Sequence, residues 1–371
     1  MNARQMVVVM LFAAGLITGA LAQTPVVTSI QGNGNVTWTN AVNTNAIYRV
    51  EWAATAGGPW CQSLQSVHTI DALGDQSFGA AVPMFYRVVM TTNQPPVGMV
   101  WIDGGGVELG QNNIAVPVHT NFVSGFWMDE MLVTKMEWDQ VYLWAITNGY
   151  TFDNAGSGKG TNHPVQSVNF YDCLKWCNAR SQKEGSTPCY YIDPIYFNLY
   201  KAGDLAISNE WVNWNSGGYR LPTEAEWEKA ARGGRRGHLF PWGGDTISHS
   251  QANYFSTNTY SYDVSPTRGH HPIYNDGVQP YTSPVGSFPA NGFGLHDMAG
   301  NVFQWCWDWY GAYSAAYQTD PRGLASGTNR VQHGASWEFA GGAFWARCAA
   351  RNVNVQGNGS PYVGFRCVRG P

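Results

Sequence analysis

Residues 288–310, FPANGFGLHDMAGNVFQWCWDWY, constrain the fold more than any other stretch of the chain. Gly292, Gly294 and Gly300 break its first half into tight turns that a Cβ would obstruct. Its second half sets five aromatic residues, Phe303, Trp305, Trp307, Trp309 and Tyr310, within eight positions. That much apolar area cannot be left in water, so the segment is expected at the centre of a core. Asp297, Asn301 and Gln304 stand between the turns and offer oxygens beside backbone carbonyls, a mixture that suits a hard cation such as calcium. The alternative is a buried irregular segment whose polar side chains satisfy its own backbone.

The remainder must supply a core around that stretch. The chain has 371 residues, of which 14% are aromatic and 12% charged, with 43 glycines and 17 tryptophans. The charged share is about half the ~25% usual for soluble domains. This describes a loop-rich fold with a large aromatic core, not a helical bundle and not a disordered chain. The length allows two domains at roughly 150 residues each. A net charge of −4 gives no electrostatic footprint for nucleic acid, so no nucleic-acid partner is expected.

Residues 1–22 read as a secretory signal, with Arg4 before an apolar run and Ala20-Leu21-Ala22 as a small-x-small cleavage site. The expected location is therefore secreted or periplasmic; the alternative is an N-terminal membrane anchor. No later stretch is long and apolar enough to span a membrane, so the mature chain is expected to have no span. Export permits disulfides, and six of the seven cysteines lie beyond residue 170.

Residues 24–90 alternate in short runs separated by Gly and Asn, which predicts a small all-β, sandwich-like domain faintly resembling fibronectin type III. Residues 91–96, TTNQPP, read as a linker. From residue 97 to 371 the pattern changes. Met99-Val100-Trp101-Ile102 predicts a strand. Thr134-Lys135-Met136-Glu137 is a capping box that opens a helix to about Thr147. Asn169 caps a second helix running to Glu184, with Gly185 as its stop. Thr223-Glu224-Ala225-Glu226 is another capping box, and Gly233-Gly234 ends its helix. Beyond Gly233, little regular structure other than short strands is expected. The glycine run at 155–160 contains Gly158-Lys159 but lacks the rest of a phosphate loop, so it reads as a surface loop.

At Gly218-Tyr219-Arg220-Leu221-Pro222-Thr223-Glu224-Ala225-Glu226-Trp227-Glu228 the sequence resembles the formylglycine-generating enzyme family, the sulfatase-modifying factors. Further blocks follow in the family's order: Phe240-Pro241-Trp242-Gly243, Ser283-Pro284-Val285-Gly286, the stretch at 288–310, Gly334-Ala335-Ser336-Trp337, Cys348-Ala349-Ala350-Arg351 and Gly364-Phe365-Arg366-Cys367. The resemblance implies an α+β fold of low regularity, related to C-type lectin domains and held by calcium and disulfides.

Family enzymes oxidise a sulfatase cysteine to formylglycine with two cysteines that bind copper(I), a soft ion suited to thiolates. The interval that should hold this pair, residues 338–347, contains no cysteine. Phe339 stands at the first position and Phe344 or Trp345 at the second. Copper is therefore not expected, and the oxidase mechanism looks absent. The expected function is a non-oxidase member that binds a peptide, protein or glycan ligand in the family's groove. Phe303, Trp337, Phe339, Phe344 and Trp345 would floor it, with His333 and Ser336 as lining. Two alternatives remain: an oxidase using a non-standard site, and a structural module of an envelope assembly.

The resemblance also implies two calcium sites. One comprises Asn253, the carbonyl of Tyr254, Asp276 and the carbonyl of Val278. The other comprises Asp297, the carbonyls of Gly300 and Val302, and Gln304, where most relatives carry Glu. It further implies a Cys177–Cys367 disulfide. Cys348 matches another half-cystine, but its partner position holds Ala231. The pairing of Cys61, Cys173, Cys189, Cys306 and Cys348 stays open.

Overall fold

The computed structural model describes residues 96–338 and 342–371 in full. Of the preceding part it describes six strands: β1 Val26–Ile30, β2 Val36–Thr39, β3 Ile47–Ala53, β4 Ile70–Ala72, β5 Phe78–Ala80 and β6 Phe85–Thr91. The leader expected at 1–22, most of the linker, Cys61 and Phe339 lie outside the described residues. Contacts divide the chain into two units, Met1–Pro95 and Pro96–Pro371.

In the first unit the strands pair antiparallel as β1 with β2, β3 with β6, and β4 with β5. The longest ladder runs from Ile47 opposite Thr91 to Ala53 opposite Phe85. Its two strands carry the repeated Tyr-Arg-Val run.

The second unit begins with β7 Met99–Ile102, the hairpin β8 Gly105–Gln111 and β9 Ala115–Val123, and β10 Phe126–Asp129. Three helices follow where the capping signals predict them: α1 Lys135–Ile146, α2 Phe170–Lys183 and α3 Glu224–Ala231. Thr134 Oγ1 accepts from the Glu137 amide at 3.1 Å while Glu137 accepts from the Thr134 amide at 2.9 Å. Thr223 and Glu226 repeat this exchange, and Asn169 does so with Asp172. Each box satisfies two amides that the first turn would leave without partners.

Two four-stranded sheets complete the unit. One has the order β11 Tyr219–Arg220, β16 Val368–Arg369, β10, β7. The other has the order β14 Asn352–Asn354, β13 Arg330–His333, β12 Phe303–Trp309, β15 Val363–Gly364. A single-turn helix, α4 Gly342–Trp345, precedes β14. Long irregular loops join these elements after α3, as the sequence predicts.

Strand β12 is the keystone. All seven of its residues are buried. Side chains alternate across a strand, so Phe303, Trp305 and Trp307 enter a cluster with Trp138 of α1 and Trp176 of α2. Trp305 meets Phe170 edge-on at 5.8 Å, and Trp138 stacks on Trp176 at 5.8 Å with 3° between the planes. Gln304, Cys306 and Asp308 point the other way, toward α3. Burying one such indole removes ~150–250 Å² from water, worth on the order of 4–6 kcal/mol at ~25 cal/mol/Å².

Candidate functional site

The even face of β12 is a buried polar seam. Gln304 Oε1 accepts from Trp227 Nε1 of α3 and from Arg366 Nε, each at 2.8 Å. Its amide nitrogen donates to the Asp297 carbonyl at 2.9 Å. Arg366 is fully buried, and its two terminal nitrogens donate to the carbonyls of Asp129, Glu130 and His296. Burial pulls this guanidinium down to about 10, which still leaves it charged at neutral pH.

One turn further along, Glu224 gathers three side chains. Arg351 donates to both of its oxygens, at 2.5 and 2.8 Å; Tyr313 donates to Oε1 at 3.0 Å, and His333 Nε2 lies 3.2 Å away. Burial alone would raise this carboxyl, but Arg351 first and His333 next outweigh it and hold Glu224 at about 2. Asp308 Oδ2 accepts from the Glu224 amide at 2.7 Å. Burial, reinforced by the Glu224 charge, pushes Asp308 up to about 8. His333 stacks on Trp227 with ring centroids 4.5 Å apart. It therefore belongs to this buried seam and does not line an open groove, a correction to the sequence reading. The cause is the pairing of β12 with β13, which sets His333 opposite Gln304.

The two expected calcium sets adjoin each other. A Cβ on Gly300, which sits at φ 81°, would come within 2.4 Å of the Asn253 carbonyl. In the first set, Asn253 Oδ1 is buried without a partner among the described residues. The Tyr254 carbonyl accepts from His249 Nε2 at 3.1 Å. Asp276 Oδ1 and the Val278 carbonyl accept from Lys159 Nζ at 2.7 and 3.0 Å. Three of the four groups thus already accept hydrogen bonds from His249 or Lys159. In the second set, Asp297 Oδ2 accepts from the Gly286 amide at 2.7 Å, while buried Oδ1 has no partner among the described residues. Asp297 also lines a shallow cleft with Pro241, Trp242 and Pro289. Burial raises its carboxyl; a desolvated carboxylate with a free oxygen fits a cation. Both lone pairs of the Gln304 oxygen already serve Trp227 and Arg366.

Of the expected groove residues, Phe303, Ser336 and Trp337 are buried. Trp337 Nε1 donates to the Pro361 carbonyl at 3.3 Å, and its ring meets Tyr281 edge-on at 5.3 Å. Among the described ones, Phe344 and Trp345 are half-buried. Their rings meet edge-on at 4.8 Å, and Trp345 packs on Phe303 at 6.5 Å. Tyr260 lies 5.9 Å from Phe344 and stacks on Tyr262 at 5.1 Å. Arg347 stands 3.9 Å over the Phe344 ring. The surface is an aromatic patch centred on α4.

The six described cysteines are all buried. Cys177 and Cys367 stand with their sulfurs 3.6 Å apart. Burial pushes the Cys348 thiol up to about 12. Among the described residues, no group of three or more His, Cys, Asp or Glu side chains could hold a metal ion. No described helix is long and apolar enough to cross a membrane.

Sequence reasoning missed Lys159, Asp308, Arg351 and Arg366 as partners in these clusters. Glu224 was visible only as the opening of a helix. The usable signal was a charged residue inside an aromatic run, Trp307-Asp308-Trp309, since a carboxyl buried there needs a proton or a partner.

Residues 86–371 match the family described as Sulfatase-modifying factor enzyme 1-like domain. The formylglycine-generating enzyme of Bos taurus is 37% identical over 297 residues, covering 74% of this chain and 75% of that protein. The chaperone protein LppX of Paenibacillus barcinonensis is 32% identical over 225 residues, 57% of this chain and 71% of that protein. The chain spans 38% of the serine/threonine-protein kinase pkn1 of Chlamydia caviae, at 33% identity. Among solved structures, Treponema denticola variable protein 1 superposes with a TM-score of 0.57 at 28% identity, over 74% of this chain and 95% of that one.

Proposed function

The chain belongs to the sulfatase-modifying factor enzyme 1-like family, and from that premise we propose that it is a non-oxidase member, binding a peptide, protein or glycan on the aromatic patch around Phe344 and Trp345. Its α+β architecture of low regularity is that of the family. The observation that carries the reading is the interval 338–347, which holds no thiol where two should converge on copper(I). Cys348, at its edge, is buried with its thiol pushed up to about 12, so it supplies almost no thiolate at neutral pH. Supporting the binding reading, half-buried ring faces beside the Arg347 guanidinium suit stacking on a sugar ring or a side chain.

Calcium belongs to this reading in a structural role. Asp297 Oδ1, with the carbonyls of Gly300 and Val302, is the set that would hold it, and the ion would neutralise a buried carboxylate. Export follows from the reading of residues 1–22 and is tested by sequencing the N-terminus of the mature protein.

The test of the main proposal is incubation with a cysteine-containing sulfatase peptide, copper and oxygen, followed by mass spectrometry. The expected result is an unchanged peptide. An aldehyde product that depends on the protein would overturn the proposal.

A further inference from the structure

The first of the two oxygen sets already contains a cation. Lys159 Nζ donates to Asp276 Oδ1 at 2.7 Å and to the Val278 carbonyl at 3.0 Å. The Lys159 side chain is 21% exposed against 50% for Asp276, so the ammonium is the more sheltered member of the pair. It also stands 5.7 Å from the centroid of Tyr281, whose carbonyl accepts from Asn253 Nδ2 at 2.8 Å. One lysine thus ties the loop at 155–160 to the segment 276–281, 117 residues away in the chain.

We propose that Lys159 is the resident cation of this position and that the position takes no calcium. Calcium binds through oxygens whose lone pairs are free to face it, with water completing its shell. Two oxygens of the set point their lone pairs at ammonium hydrogens, and a third, the Tyr254 carbonyl, serves His249. Asp276 supplies a single negative charge, which the ammonium balances. A dication brought to the same oxygens would face that ammonium at close range, and like charges at such a distance repel strongly. The ammonium has three donors in a compact head, which suits a carboxylate and a carbonyl presented side by side. It is also covalently held, so the tie between the two loops needs no free metal ion. This inference is independent of the aromatic patch and of the missing thiols.

The test uses the full chain, stripped of metal by chelation and then equilibrated with calcium chloride. Bound calcium is counted by elemental mass spectrometry, and melting temperatures are taken with calcium and with chelator. In the wild-type background, Asp276→Asn is expected to lower the melting temperature by the same amount in both conditions and to leave bound calcium unchanged. Lys159→Met is expected to bind one more equivalent of calcium than wild type and to be stabilised by it, and adding Asp276→Asn should abolish that gain. Loss of one bound calcium from wild type on Asp276→Asn, or a melting effect seen only in calcium, would overturn the proposal. A folded Lys159→Met variant that binds no additional calcium would overturn it as well. If Lys159→Met does not fold, the Asp276→Asn comparison decides alone.

Discussion

The main-chain amide of Glu224 donates to the carboxyl oxygen Oδ2 of Asp308 at 2.7 Å, and the two carboxyls are held in opposite charge states, Glu224 at about 2 and Asp308 at about 8. Two acids in one buried seam cannot both ionise cheaply, and Arg351 decides in favour of Glu224.

A pH dependence follows. Asp308 keeps its proton in the folded state up to about pH 8, whereas an unfolded chain releases it near the ordinary value of 3.8. Between those values the folded state binds the extra proton, so stability falls as pH rises. Glu224 acts in the opposite sense, but its contribution is complete above its ordinary value of 4.5 and is lost only as pH falls toward 2. Asp308→Asn mimics the protonated form. Relative to this variant, wild type should lose up to ~1.4 kcal/mol per pH unit between about pH 5 and 8. Denaturant melts across that range measure the slope, and parallel curves would refute the assignment.

Calcium should stabilise the second unit through Asp297. At 100 times its dissociation constant a ligand adds ~2.7 kcal/mol. Chelation should lower the melting temperature. Asp297→Asn keeps an oxygen for the Gly286 amide but removes the buried charge, so it should erase the calcium response without lowering the chelated melt. Identical wild-type melts with and without chelator would remove calcium from the account.

Cys177 and Cys367, with sulfurs 3.6 Å apart, should join under oxidising conditions. They lie 190 residues apart, and closing so long a loop adds about 5 kcal/mol in the chain-entropy model. Non-reducing peptide mapping reads the bond directly. Two free thiols in protein from an oxidising compartment would count against it.

The tryptophans of the expected groove should separate by burial. Trp337 is 1% exposed, so Trp337→Ala should cost ~3–5 kcal/mol, as large core truncations do. Trp345 is half-buried on α4, and Trp345→Ala should cost less while removing ring surface from the patch. Urea midpoints of the two variants compare them; equal losses would mean that α4 belongs to the core.

Much of this was legible along the chain. Thr134, Asn169 and Thr223 act within three residues of themselves, so their capping role reads directly from spacing. The aromatic run in β12 demanded burial wherever the chain went. The partnerships were harder to read. Gln304 answers to Trp227, 77 positions away, and Glu224 to Arg351, 127 away. Nothing local to Gln304 distinguishes an amide that ligates an ion from one that receives an indole and a guanidinium. Lys159 read as a loop residue because its acceptors lie on another loop.

The two-sided burial of β12 limits how this protein can change. Phe303, Trp305 and Trp307 serve one face and Gln304, Cys306 and Asp308 the other, so inserting or deleting one residue there would exchange the two sets. Indoles would be driven against Glu224 and Arg351, and a carboxyl into the stack around Trp138. Substitution within this strand is therefore far better tolerated than a one-residue change in its length. The return between β12 and β13 is largely exposed at residues 314–329 and can take up length variation without touching either face.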